Sequence, residues 1–219
     1  MYRHVIKRFI DVILSFIGLI VLAVPMVIIA IAINLDSKGG AIFVQERMGK
    51  KKRPFTVYKF RTMIQNAYTI GGTNTYQGDS RITKVGVFLR KTSLDELPQL
   101  INILKGEMSI IGPRPILKEE EKEVDHPERY QDRYEISPGL FCTVDLDLRA
   151  MASRTLQFKM DCDYYKNMSF PLDCKVFFGI IRTVISGDNV YKLPHGVKSY
   201  DDSEGESYKD TDSKNKAGK

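Results

Sequence analysis

The chain has 219 residues, with 33 Lys and Arg against 27 Asp and Glu and a formal charge of +6, which leaves room for one compact domain plus an anchor but not for two independent enzyme domains. The basic balance points to an anionic partner, and charge alone leaves nucleic acid, an acidic membrane surface and a phosphorylated substrate all open. Cys142, Cys162 and Cys174 form no C-x-x-C pair and His4, His126 and His195 are scattered. These patterns argue against a disulfide framework, a zinc site or a histidine-centred triad, and for free thiols in a reducing compartment.

Residues 12–35 form a Leu, Ile, Val and Ala-rich run without a charged side chain, long enough to cross a hydrocarbon core of about 30 Å as a helix. The run is too long for the apolar core of a signal peptide, and Asn34-Leu35-Asp36 offers no small-x-small cleavage site, so the anchor is expected to be retained. Arg3, Lys7 and Arg8 precede it, and Lys38, Arg47, Lys50, Lys51, Lys52 and Arg53 follow it. Both flanks therefore carry the bias of a cytoplasmic side. Pro25 removes a backbone hydrogen bond and favours a kink in mid-segment. Together these features favour a helix that enters, bends and returns to the same face over a straight span with a tolerated proline.

After the anchor, residues 41–44 and 55–60 read as short strands joined by the basic turn at 49–54. Residues 69–80, rich in Gly, Thr, Asn and Gln, read as a mobile loop without P-loop spacing. Helical periodicity runs over 94–104 until Gly106 stops it, and 119–134 reads as a charged, solvent-facing helix interrupted near Pro127. Leu172, Val176, Ile180, Ile181, Val184 and Ile185 make an apolar stripe at helical spacing, with Lys175 and Arg182 off it. Such a stripe suits a core-facing helix and an interfacial helix on lipid alike. From residue 199 onward Asp, Ser, Lys and Gly dominate, too polar a composition to fold.

Three stretches carry residues suited to chemistry. In residues 90–100, two adjacent acids, Asp95 and Glu96, follow Arg90 and Lys91. Ser93-x-x-Glu96 matches a capping box, yet Pro98 would forfeit a bond inside that helix, so the alternative is a helix that begins at Pro98 and leaves both acids free. A carboxylate at the positive end of a helix beside two bases stays ionised and can attack an electrophilic phosphorus. A neighbouring carboxylate can hold Mg²⁺, which takes hard oxygen ligands. In Gly112-Pro113-Arg114-Pro115, two prolines stiffen the backbone around one guanidinium, presenting it to a planar or anionic ligand or simply forming a rigid turn. In residues 58–63, Lys59 and Arg61 share a strand face and could both reach a diphosphate. Their alternation with aromatics also suits single-stranded nucleic acid.

At these residues the chain resembles the bacterial sugar transferase family of monotopic phosphoglycosyl transferases, which begin capsule, exopolysaccharide or protein-glycan assembly on a polyprenyl phosphate. The resemblance covers residues 2–190 and rests on Lys7-Arg8-Phe9-Ile10-Asp11, Gln45-Glu46-Arg47-Met48-Gly49, the 59–63 block, Asp79-Ser80-Arg81-Ile82-Thr83, the 90–100 block and Gly112-Pro113-Arg114-Pro115, with Asp161, Tyr164 and Tyr165 fitting a later D-x-x-Y region. It implies a re-entrant hairpin at the cytoplasmic face and a ping-pong reaction. In that reaction Asp95 attacks the β-phosphate of a UDP-sugar, UMP leaves, and the phosphosugar passes to undecaprenyl phosphate. Glu96 would ligate Mg²⁺, Lys59 and Arg90 would steady phosphate charge with Arg61 nearby, and Arg114, between Pro113 and Pro115, would face the uridine. Two departures stand out. Val24-Pro25 replaces the usual Ser-Pro at the bend, and Phe141-Cys142-Thr143-Val144-Asp145-Leu146-Asp147-Leu148-Arg149 replaces T-G-x-A-Q-V-x-G-R, keeping little beyond Arg149 as a substrate contact.

The expected architecture is therefore a small mixed α/β catalytic domain with an N-terminal re-entrant membrane helix and interfacial amphipathic helices. Residues 1–38 form the hairpin, 39–190 the cytoplasmic catalytic domain at the bacterial inner membrane, and 191–219 a disordered polar tail. A UDP-sugar, undecaprenyl phosphate and the membrane are the expected partners, with homo-oligomers and later pathway glycosyltransferases as further ones. No nucleic acid is expected, since the cluster at 50–53 is the only strong feature that favours it. A catalytically silent membrane scaffold for glycan assembly is the alternative function.

Overall fold

The computed structural model describes residues 2–72, 78–147 and 152–186. The expected polar tail and part of the expected loop, residues 73–77, lie outside them. A π-helical turn at Tyr2–Ile6 runs into helix α1 (Lys7–Asp36), which at about 1.5 Å per residue is about 45 Å long. Among the described residues it is the one helix long and apolar enough to cross a membrane. The helix continues through Pro25 without interruption.

One face of α1 lies along the rest of the protein from end to end. At its start Lys7 Nζ donates to Asp173 Oδ2 at 2.6 Å, and Asp11 accepts from Ser109 Oγ at 2.8 Å and from the Ile110 amide at 3.0 Å. Leu19 and Leu22 then pack on the main core, and Met26, Ile29, Ala30 and Ile33 on a second cluster with Phe60 and Leu89. At its end Asp36 accepts from the Val85 amide at 2.9 Å. The opposite face is exposed apolar surface, including Phe9, Phe16, Ile20, Val24, Ile28 and Leu35, which a helix in water would hide.

Strands β1 (Ile42–Met48) and β2 (Pro54–Phe60) form an antiparallel hairpin pairing Ile42 with Phe60 and Met48 with Pro54. β1 is longer than its apolar stretch because polar Gln45, Glu46 and Arg47 still satisfy their backbone in the ladder. A helical turn, α2 (Ala67–Gly71), follows, with the buried Asp79–Arg81 pair beyond it at 2.6 Å. Helix α3 (Lys84–Thr92) is capped by Thr83, whose hydroxyl accepts from the Gly86 amide. Ser93 then adopts a left-handed conformation, a 3-10 turn covers Leu94–Glu96, and α4 (Gln99–Lys105) starts after Pro98. The capping box is thus absent, since Ser93 makes no side-chain cap bond, and the helix begins at the proline. Gly106 ends α4 at φ +87°, a conformation open to glycine without steric cost.

Asn102 ties α4 to the free edge of β2. Its Nδ2 donates to the Thr56 carbonyl at 2.7 Å and to Glu107, while its Oδ1 accepts from the Tyr58 amide at 3.1 Å. Strands β3 (Ser109–Ile111) and β4 (Gly139–Phe141) pair in parallel, so among the described residues the sheet content is two separate two-stranded units. The connection between them is not the solvent-facing helix expected over 119–134 but two 3-10 stretches, Glu119–Glu123 and Pro127–Glu135. Arg133 is buried there with both Nε and an Nη on Asp161, and that inward pull is incompatible with a helix wholly in solvent.

A short helix, α5 (Thr143–Asp147), leads to α6 (Arg154–Asn167) and α7 (Phe170–Ser186). Val176 and Ile180 of the α7 stripe are buried in the main core with Ile103, Met108 and Ile110, while Phe170 and Phe178 remain exposed. Leu172 and Val184 pack against the same core, so these four stripe residues face the interior. All three cysteines are free.

Replacing Asn102 with Ala should strand the Tyr58 amide and the Thr56 carbonyl, at about 1–3 kcal/mol for each buried group. A thermal melt of the purified full chain checks this; a melting temperature equal to that of the wild type would show that water repairs the β2 edge.

Candidate functional site

The break between α3 and α4 creates the site. Left-handed Ser93 turns the chain out of α3, and the 3-10 turn that follows sets Asp95 and Glu96 side by side, half-buried, ahead of α4. Asn102 holds α4 against β2, so Lys59 of β2 meets the dyad, with Nζ 2.7 Å from Glu96 Oε1. Arg90, in the last turn of α3, is oriented by an Nε bond to Thr62 Oγ1 at 2.9 Å.

This arrangement splits the two carboxyls. Burial and the neighbouring Glu96 charge push Asp95 up to about 6 from its ordinary 3.8, against the pull of Lys59 and Arg90. Burial also works to raise Glu96, but Lys59 and Arg114 outweigh it and hold that carboxyl below its usual value. As pH rises, Glu96 ionises first and Asp95 second, so Asp95 is the more basic of the pair.

Gly112-Pro113-Arg114-Pro115 leaves the end of β3. Gly112 donates to the Phe141 carbonyl at 3.0 Å and the Gly139 amide donates to the Pro113 carbonyl at 2.8 Å, continuing the parallel pairing. A Cβ at Gly139 would lie 2.1 Å from the Gly112 nitrogen, so this close approach requires glycine. Arg133 supports the turn from behind with a 2.7 Å bond to the Arg114 carbonyl. The Arg114 guanidinium then reaches Asp145 of α5 at 3.2 and 3.3 Å. Asp145, against the cost of burial, strengthens the positive charge on Arg114, and Glu96 adds to it.

A cleft of about 640 Å³ collects these groups, with Lys59, Arg90, Asp95, Glu96, Arg114 and Asp145 on its walls. Pro115 lies beside Glu96 and Arg114 in a narrow side pocket, and Pro113 is buried behind the turn. On the other side of Asp95 and Lys59 a second hollow of about 190 Å³ is walled by Phe43, Phe60, Met63, Ile64 and Tyr68.

Arg61 departs from the expectation that it reaches a diphosphate. Its five N–H donors are all taken, by the carbonyls of Ser37, Gly39, Gly40 and Met63 and by Ser37 Oγ, so the guanidinium secures the chain leaving α1 and has no donor left for phosphate. Arg149 lies outside the described residues. Among the described residues no three His, Cys, Asp or Glu side chains converge as a metal cage. The Asp95–Glu96 pair suits Mg²⁺ in its donor chemistry, since that ion is often held by one or two carboxylates with substrate phosphates and water completing its shell.

Asp145 was invisible in the sequence, where no local pattern links it to Arg114. The Arg47–Glu120–Arg154 network flanking the cleft was equally hidden, although Arg47 belongs to a motif that stood out.

Carboxyl ¹³C NMR of the full chain should show Asp95 titrating near pH 6, moving down in Glu96→Gln and up in Lys59→Met. Because the folded value lies above 3.8, the Asp95 contribution to stability is present at pH below that value and is lost as pH rises through about 6. An Asp95 resonance titrating at an ordinary carboxylate value would refute the split.

Residues 2–187 match the bacterial sugar transferase family. A UDP-N-acetylgalactosamine-undecaprenyl-phosphate N-acetylgalactosaminephosphotransferase of Aeromonas hydrophila is 40% identical over 190 residues, covering 83% of this chain and 44% of that protein. An uncharacterized sugar transferase of Bacillus subtilis is 33% identical over 195 residues, covering 87% of this chain and 93% of its own length. A UDP-glucose:undecaprenyl-phosphate glucose-1-phosphate transferase of Escherichia coli is 37% identical, covering 80% of this chain and 39% of that protein. The chain therefore spans less than half of the Aeromonas and Escherichia relatives and nearly all of the Bacillus one.

Proposed function

The chain belongs to the bacterial sugar transferase family, and from that premise we propose that it transfers a sugar 1-phosphate from a UDP-sugar to undecaprenyl phosphate through a covalent phosphosugar on Asp95. The observation that carries this reading is the divided dyad: the more basic carboxyl, Asp95, shares the wall of a cleft large enough for a substrate with Lys59 and Arg90, whose charges act on it.

In the first step an Asp95 oxygen attacks the phosphorus that bears the sugar. The bond from that phosphorus to the bridging oxygen breaks, and UMP departs with the electron pair. In the second step a phosphate oxygen of the polyprenyl acceptor attacks the same phosphorus and Asp95 leaves as carboxylate, giving a lipid diphosphate sugar. Lys59 and Arg90 offset the charge that gathers on the phosphoryl oxygens. Arg114, oriented by Asp145, anchors the nucleotide. Glu96 would hold Mg²⁺, which when bound supplies further positive charge against the diphosphate.

The same reading seats the protein at the cytoplasmic face of the bacterial inner membrane, with the exposed apolar face of α1 in the bilayer and both of its ends kept on one side. What supports it is that both ends of a roughly 45 Å helix are bound to one body through polar groups, Lys7 and Asp11 at the start and Asp36 at the end. A body with those charges does not enter hydrocarbon, so a straight crossing would detach one end.

With acceptor withheld and a radiolabelled UDP-sugar supplied, wild-type protein should accumulate label and Asp95→Asn none, because an amide does not form the acyl phosphate. Glu96→Gln should slow labelling and regain part of it at raised Mg²⁺. Label that persists in Asp95→Asn, or that maps to another residue by peptide analysis, would remove Asp95 from the nucleophile's role.

A further inference from the structure

The transfer reading gives the polar cleft to the donor but leaves the second hollow unassigned. This hollow shares Asp95 and Lys59 with the cleft and is otherwise walled mainly by apolar groups of β1, β2 and the segment leading into α2. Phe43 and Tyr68 stack on each other in its wall, with ring centroids 5.5 Å apart and planes 13° from parallel. Phe60, also in its wall, is buried against the C-terminal part of α1, in one cluster with Ile33, Met26 and Ile29. Arg61 brings no free charge to this wall, since its donors are spent on the carbonyls just after α1. One cation, Lys59, therefore stands at the inner end, where the reacting carboxylate lies, and aliphatic and aromatic surface leads away from it. Ile64 and Tyr68 are about 40% exposed at the outer edge, and Leu35, in the last turn of α1, is 83% exposed.

That layout fits a molecule with an anionic head and a hydrocarbon chain. We propose that the hollow is the acceptor subsite, receiving the first isoprene units of the polyprenyl phosphate with the phosphate at Lys59 and the chain leaving past Ile64 and Tyr68 toward the C-terminal end of α1. The site rests on the transfer reading and refines it. Donor and acceptor approach Asp95 from two sides, and the acceptor's phosphate meets the phosphosugar without its chain crossing the nucleotide cleft. Apolar contact with the hollow favours a prenyl phosphate over a short phosphate monoester, in proportion to the surface covered.

The two half-reactions separate the inference from its premise. In Ile64→Asp, and independently in the milder Tyr68→Gln, the KM for undecaprenyl phosphate should rise, by at least about tenfold for the charged variant, because a carboxylate must be desolvated against the chain. Formation of labelled adduct from the UDP-sugar should be unchanged in both. The wild-type preference for a prenyl phosphate over methyl phosphate as acceptor should shrink in step with the rise in KM, a readout that a merely structural role would not move. An unchanged KM in both variants would overturn the subsite. So would a parallel loss of adduct formation in a variant that melts like the wild type, since that places the residues on the donor side. Absence of adduct in the wild type counts against the transfer reading itself and would be seen before any variant is made.

Discussion

The placement of the dyad depends on Asn102, a fully buried residue that treats the free edge of β2 as a third strand would. The β1–β2 hairpin alone leaves the Thr56 carbonyl and the Tyr58 amide unpaired on its part-buried outer edge, which is costly without partners. By accepting from one and donating to the other, Asn102 satisfies both and sets the height of α4 along β2. Lys59 is the next residue on that strand, and Asp95 and Glu96 sit in the turn just before α4. The 2.7 Å approach of Lys59 to Glu96 is thus fixed by a neutral amide several residues from either charge. A charge pair on flexible side chains would not secure that register, since exposed ion pairs contribute little.

The helix α1 extends the same logic to the N-terminal part of the protein. Its buried face carries polar anchors at the start, partnered by α7 and β3, and apolar contacts further along, partnered by α4 and α3. A half-buried site carried on elements packed against α1 gains a fixed position relative to that helix's exposed apolar face. It keeps this only if the helix does not swing, and the bonds at Asp11 and Asp36 hold both ends.

Much of this was legible in the sequence, and the parts that were not share a cause. The long apolar helix, the β1–β2 hairpin, the Gly106 stop and the proximity of Asp95 and Glu96 to basic residues follow from local pattern. The choice between a capping box and a helix starting at Pro98 was open locally, and the left-handed turn at Ser93 decided it. Arg61 misled because strand alternation places it beside Lys59, yet β2 ends at Phe60 and the next residue is recruited by the carbonyls after α1. The 119–134 stretch has a charged composition that suits a solvated helix, but Arg133 finds its partner in Asp161 of α6, a contact that no window of sequence contains. Asp145 reaches Arg114 across the chain in the same way. Long-range pairing of charges is what sequence periodicity does not encode.

On the proposed reaction, the value near 6 at Asp95 answers two opposed demands. A carboxylate held as low as Glu96 is strongly stabilised by its cations, which weakens it as a nucleophile toward a phosphorus already ringed by negative oxygens. One held far higher would be largely protonated at neutral pH, and once esterified it would be a reluctant leaving group in the second step. Lys59 binds Glu96 directly and acts on Asp95 only through space, which keeps Asp95 ionised at neutral pH without quenching it. A direct Lys59–Asp95 bond would remove this difference, so the turn that hands the lysine to the second acid is also what leaves the first one free to react.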